Sequence, residues 1–211
     1  MLLAATLSTL ATTMTDGRKT RWGILGTGTI ASDFARILSH SSDSEIAAVG
    51  SRSLASAETF CERCDLADAA RHGSYDALLA DASLDIVYIA TPSARHVEDS
   101  LACLEAGRAV LCEKSMAATA EEAERVLAVA AEKRLFFLHG VWSRHFPAMA
   151  ALRDVLASGV IGDVRSATCS FGQDDGAGSC SALAETGIYC AQFLLWVFGP
   201  DAPPTVRGVS Y

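Results

Sequence analysis

The chain predicts an α/β fold: a doubly wound parallel sheet covered by helices on both faces, followed after residue 140 by a second region of different pattern. Three observations carry this. Between residues 21 and 139, short β-rich runs alternate with helix-length amphipathic segments. The runs at 86–90 and 109–112 are apolar throughout, as strands buried between two helical layers must be. The first run breaks into Gly26-x-Gly28-x-x-Ala31 where helix-compatible sequence starts, the pattern of a phosphate-binding strand, turn and helix. In it Gly26 permits the tight turn, Gly28 removes the Cβ that would block a pyrophosphate, and Ala31 lets the helix pack closely on the strand.

In chain order the pattern predicts a strand at 21–26, helix 29–39, strand 45–51, helices 54–64 and 75–81, and strand 85–90. Helix 94–106, strand 108–113, helix 119–132 and strand 135–139 follow. Helix 119–132 opens on Thr119-x-x-Glu122, a capping box. After residue 140 the pattern changes to a helix at 146–158, a strand at 163–172, a Gly/Asp/Ser loop at 172–181, a helix at 182–198 and a final strand at 205–211. The division expected is an N-terminal extension at 1–19, a sheet domain at 20–140 and a partial second domain at 141–211.

Composition narrows the function. The 211 residues are 50% hydrophobic and 20% charged, enough for a full core. A net charge of −8 with no Lys/Arg block argues against a nucleic-acid surface and suits a small polar substrate. Seven cysteines, an odd number without framework spacing, fit a reducing, cytoplasmic setting. Cys61-x-x-Cys64 has no second pair at zinc spacing and reads as two thiols on a helix, so no metal is expected. Residues 1–14 are apolar and Ser/Thr-rich but carry no Lys or Arg, which fits neither a signal peptide nor a mitochondrial presequence; Met14 is a candidate start. No apolar run reaches about 18 residues, so no membrane association is expected.

Ligands of open α/β sheets bind beyond the carboxyl ends of the strands, so the residues there carry the chemistry. Gly26, Gly28, Thr29, Ile30 and Ala31 are the candidate dinucleotide contacts after the first strand. The second strand ends in Ser51-Arg52-Ser53 with no acid to hold a ribose 2′-hydroxyl, and an arginine with two hydroxyls suits a 2′-phosphate. NADP is therefore expected, with NAD possible. Thr91, Pro92 and His96 follow the next central strand, and Glu113 and Lys114 close the one after. A lysine at a sheet's ligand edge can polarise a substrate oxygen, although most lysines are simply solvated. His96 reads equally as a site residue or as a histidine at a helix start. Tyr189, Trp142 and Phe146 read, on residue type alone, more readily as packing than as chemistry.

Taken together, Gly26-x-Gly28-x-x-Ala31, Ala90-Thr91-Pro92 with His96, Glu113-Lys114, Trp142-Ser-Arg-His-Phe146-Pro147 and Gly187-Ile-Tyr189-Cys resemble the Gfo/Idh/MocA oxidoreductases. Within that family the likeness is to the dimeric dihydrodiol dehydrogenase and NADP-dependent xylose dehydrogenase branch. The resemblance implies an N-terminal Rossmann domain, a C-terminal open-sheet domain with substrate and dimer contacts, and NADP-linked oxidation of a carbinol on a small diol or sugar. It implies a homodimer for a full-length form. By position, Lys114 takes the catalytic lysine's place and Tyr189 that of the acid/base tyrosine; Trp142, Arg144 and Glu185 fall at substrate positions. The roles make chemical sense: carbinol oxidation needs the hydroxyl proton taken, and an ammonium beside a phenol lowers its pKa and stabilises the developing alkoxide.

The chain also departs from the family pattern. Ser115 stands where the family has a proline, Glu185 where it has an aspartate one methylene shorter, and the 172–181 loop is short. Only about 70 residues follow position 141, fewer than would cover the expected open sheet. These departures predict poor turnover and self-association for residues 1–211 alone, and leave two readings: a working oxidoreductase, or a nucleotide-binding homologue or fragment with impaired catalysis.

Overall fold

The computed structural model describes residues 17–172 and 181–199. Six short segments, β1 (Thr20–Leu25), β2 (Ser44–Gly50), β3 (Ala70–His72), β4 (Ile86–Ile89), β5 (Ala109–Glu113) and β6 (Phe137–Gly140), pair in parallel in the order β3-β2-β1-β4-β5-β6. Alternate side chains leave opposite faces of each strand, so both faces need cover. On one face Ile24, Val49 and Tyr88 pack with Ala31 and Ala35 of α1 (Thr29–Leu38) and with Ala57 and Phe60 of α2 (Leu54–Arg63). On the other, Leu25, Val87, Ile89, Val110 and Cys112 meet Leu78 of α3 (Tyr75–Leu79), Cys103 and Leu104 of α4 (His96–Glu105), and Val126 and Ala130 of α5 (Ala120–Lys133). Each fully buried Leu, Ile or Phe contributes about 1.5–3 kcal/mol by leaving water.

Strand order reverses between β1 and β4, which opens a crevice beyond their carboxyl ends, where β1 hands over to α1. The expected capping box is formed: Thr119 Oγ1 accepts from Glu122 N at 3.2 Å and the Glu122 carboxylate from Thr119 N at 3.3 Å. Pro147 opens α6 (Pro147–Ser158) and Gly159, at φ +68°, ends it.

Two elements differ from the sequence reading. β3 was not expected, because its three residues alternate no apolar side chains; it exists through its register against Ala48, Val49 and Gly50. The strand expected at 163–172 is not formed: Asp163 lies in a bend and residues 164–172 form no ladder with any described residue. Their pattern suits a strand, but a strand is defined by a neighbour's hydrogen bonds. The helix expected at 182–198 starts as a π-turn (Leu183–Gly187) before α7 (Ile188–Phe198), and the strand expected at 205–211 and most of the 172–181 loop lie outside the described residues. Among the described residues no helix is long and apolar enough to cross a membrane.

Candidate dinucleotide and catalytic site

The turn after β1 is built by two glycines with different requirements. Gly26 sits at φ +104°, and a Cβ there would lie 2.6 Å from the Ala90 carbonyl oxygen, so the close approach of two strand ends excludes any side chain. Gly28, at φ −78° and ψ −175°, has a backbone any residue adopts, and a Cβ on it would meet nothing within 4 Å. Protein packing therefore does not call for glycine at 28; the room lies outside the chain. Beside it, α1 begins with no side-chain cap and no acidic residue in its first turn, so its free N–H groups suit an anion. Thr29 and Ile30 are exposed on that turn and Ala31 is buried beneath it. These features fit the diphosphate of a dinucleotide.

At the end of β2, Ser51 is buried with Oγ 3.2 Å from Thr27 Oγ1. Ser53 caps α2, accepting from Ser56 N at 3.3 Å. Arg52 is exposed, and its guanidinium makes no hydrogen bond or ion pair with the described residues.

His96, a candidate contact in the sequence, is instead an internal strut. It is fully buried, with Nε2 2.8 Å from the Thr91 carbonyl and Nδ1 2.7 Å from the Ser115 carbonyl, and so ties the loop after β4 to the loop after β5. Thr91 is also buried and donates to Asp99 Oδ2 at 2.7 Å, while Asp99 accepts from Arg95 at 2.6 Å; Pro92 is exposed at the crevice. Glu113 faces inward and accepts from the Tyr88 hydroxyl at 2.7 Å and from Lys114 N at 3.2 Å. Burial, and then the Glu113 charge, push the Tyr88 phenol well above its usual range.

Lys114 follows β5 directly. Its half-buried ammonium pairs with the Glu185 carboxylate and donates to the Glu185 carbonyl at 3.2 Å. The Lys114–Ser115 peptide is cis, and Ser115 Oγ donates to the Ala184 carbonyl at 2.6 Å. The sheet edge is thus fastened to the π-turn that leads to Tyr189. Glu185, expected at the substrate, is the partner of Lys114. The Tyr189 hydroxyl accepts from Trp142 Nε1, and no hydrogen bond joins it to Lys114. Tyr189 lies in an open aromatic group, with ring centroids 5.3 Å from Phe171 and 6.4 Å from Trp142; Trp142 in turn meets Phe146 at 5.5 Å. Arg144 is exposed on the short 3-10 turn Trp142–His145.

Sequence reasoning passed over His139 at the end of β6, although a histidine at a sheet's ligand edge is a readable signal. It accepts from Met116 N at 3.2 Å, which fits a neutral ring. Burial, with His96 next in effect, pushes its pKa from 6.5 to about 4. Between those values the unfolded chain binds a proton that the folded one does not, so stability is whole above pH 6.5 and falls as pH drops toward 4. The loss is up to about 3 kcal/mol. Urea unfolding from pH 7 to 4 should show that decline, and His139→Gln should flatten it; parallel profiles would contradict it.

A family model described as an oxidoreductase family with an NAD-binding Rossmann fold matches residues 20–141, the stretch that holds the glycine turn and Lys114. The chain belongs to the Gfo/Idh/MocA oxidoreductase family. It is 41% identical over 200 residues to the trans-1,2-dihydrobenzene-1,2-diol dehydrogenase of Mus musculus, covering 90% of this chain and 60% of that one. It is 42% identical over 154 residues to the D-xylose 1-dehydrogenase (NADP(+)) of Hypocrea jecorina, covering 68% of this chain and 39% of that one. Among solved structures, the 3-ketoreductase KijD10 of Actinomadura kijaniata, with TDP-benzene and NADP in an open conformation, superposes with a TM-score of 0.77 at 31% identity. That match covers 87% of this chain and 58% of the other. The chain thus spans about three fifths of the mouse relative's length.

Proposed function

We propose that this chain carries the cofactor-binding and proton-transfer parts of an NADP-dependent oxidoreductase acting on a carbinol of a small diol or sugar. The observation that carries the reading is the shared sheet edge: the empty volume beside Gly28 at the end of β1, and the half-buried ammonium of Lys114 at the end of β5. Gly26, Gly28 and the first turn of α1 would hold the diphosphate, Ser51 and Arg52 the adenosine end, and Thr91 and Pro92 would line the path between. A bound nicotinamide supplies the acceptor or donor of two electrons and a hydrogen. Lys114 polarises the substrate oxygen and Tyr189 takes its proton, while Trp142 orients the phenol by donating to it. Residues 141–211 would begin a substrate and dimerisation domain, and a cytoplasmic location suits the free thiols.

One observation favours a second reading, a nucleotide-binding homologue with impaired catalysis: Lys114 is held by Glu185 and Tyr189 by Trp142, and no hydrogen bond joins the two. Turnover separates the two. NADPH formation with trans-dihydrodiols or D-xylose, followed by absorbance, supports the first; NADP binding with no NADPH formed supports the second.

NADP preference rests on Arg52. Arg52→Ala should weaken NADPH binding about tenfold or more and leave NADH nearly unchanged, because only the former carries the 2′-phosphate that a guanidinium grips. Equal affinity of the unmutated chain for the two, in a fluorescence titration, would overturn the preference.

A further inference from the structure

Arg63 lies at the far end of α2, outside every motif of the site, yet its side chain returns to the glycine turn. One terminal nitrogen donates to the Thr27 carbonyl at 3.1 Å and to Ser32 Oγ at 2.7 Å, while the guanidinium lies 5.3 Å from the centroid of the Phe60 ring. Ser32 is buried, and its hydroxyl donates onward to the Gly28 carbonyl at 3.3 Å. A chain of hydrogen bonds, charge-assisted where Arg63 donates, therefore runs from α2 to both peptide units that flank Gly28. Geometry gives this a consequence. The Thr27 carbonyl and the Gly28 N–H belong to one planar peptide and point in opposite directions, so fixing the carbonyl toward Arg63 fixes the N–H away from it. The Gly28 carbonyl accepts from the Ser32 N–H at 3.2 Å and from its hydroxyl at 3.3 Å, which fixes the Thr29 N–H likewise. These two N–H groups are on the turn where the volume beside Gly28 is empty.

We infer that Arg63 is a positioning residue for the cofactor: by bridging Thr27 and Ser32 it pre-organises the N–H groups of the glycine turn for a diphosphate. The inference rests on the dinucleotide reading above and adds a residue that contacts the turn instead of the ligand. Because the diphosphate is common to NADPH and NADH, Arg63 acts on both equally, unlike Arg52. A hydrogen bond to a charged group is worth enough that losing this bridge should raise the dissociation constant about tenfold.

The test is a fluorescence titration of the 211-residue chain with NADPH and with NADH, beside thermal unfolding. Arg63→Ala should raise both constants by the same factor. Arg63→Lys, which keeps a donor, should recover part of the affinity. Ser32→Ala should weaken binding about threefold. Combined with Arg63→Ala it should add less than it costs alone, since the two variants share the Arg63–Ser32 bond. A side chain that only supports the fold would lower the unfolding temperature with no change in either constant, and that result overturns the inference. So does selective loss of NADPH binding, which would assign Arg63 to the 2′-phosphate. If Arg63→Ala does not fold, Ser32→Ala and Arg63→Lys decide the question by the same constants. If the unmutated chain binds neither nucleotide, the dinucleotide reading itself fails, a result distinct from normal binding by the variants.

Discussion

Lys114→Met is expected to lower kcat by about two to four orders of magnitude while NADPH affinity changes little, and Tyr189→Phe is expected to do the same. Both follow from proton transfer at the substrate oxygen, which needs a base for the hydroxyl proton and a positive charge for the developing alkoxide. The double variant should be little worse than either single one, since groups that serve one step are not additive. The geometry adds a refinement. With Lys114 paired to Glu185, the ammonium must exchange partners when substrate arrives, so Glu185→Gln should free it and alter KM more than kcat. Steady-state and single-turnover rates check this; additive losses in the double variant would show that Lys114 and Tyr189 serve separate steps.

Gly26→Ala should be the most damaging change to the fold among the site residues. At φ +104° alanine is strained, and its Cβ would fall 2.6 Å from the backbone oxygen of Ala90, which cannot retreat without pulling β4 from β1. A loss of about 3 kcal/mol or more is expected, with dinucleotide binding lost as well. Urea unfolding measures it, and a variant as stable as the parent would mean that the turn relaxes in a way this backbone does not suggest.

The sheet was legible because its strands announce themselves through apolar runs such as residues 86–89 and, at the first strand, through the glycine turn that ends it. β3 was not, since three half-exposed residues leave no periodic trace and depend on β2 for their hydrogen bonds. The strand expected at 163–172 shows the converse: alternation predicts a face, not a neighbour. At the site, Lys114 and the glycine turn could be read because their roles follow from position at a strand end. His96 could not be told apart from a ligand contact, because whether a buried imidazole meets carbonyls or a ligand depends on loops brought together from 19 residues away. The Glu185–Lys114 pair and the reach of Arg63 to the glycine turn were missed for the same reason: their partners, 71 and 36 residues distant in sequence, are adjacent only in the fold.

The central claim, that the edge beside Gly28 receives a dinucleotide, is tested most directly by Gly28→Ala. The backbone there suits alanine and no protein atom lies within 4 Å of the new methyl group, so the thermal unfolding temperature should stay within a degree or two of the parent's. The methyl instead enters the space proposed for the diphosphate, and the NADPH dissociation constant in a fluorescence titration should rise by about tenfold or more. Unchanged stability with weakened NADPH is the predicted result; unchanged stability with unchanged NADPH affinity would contradict the account.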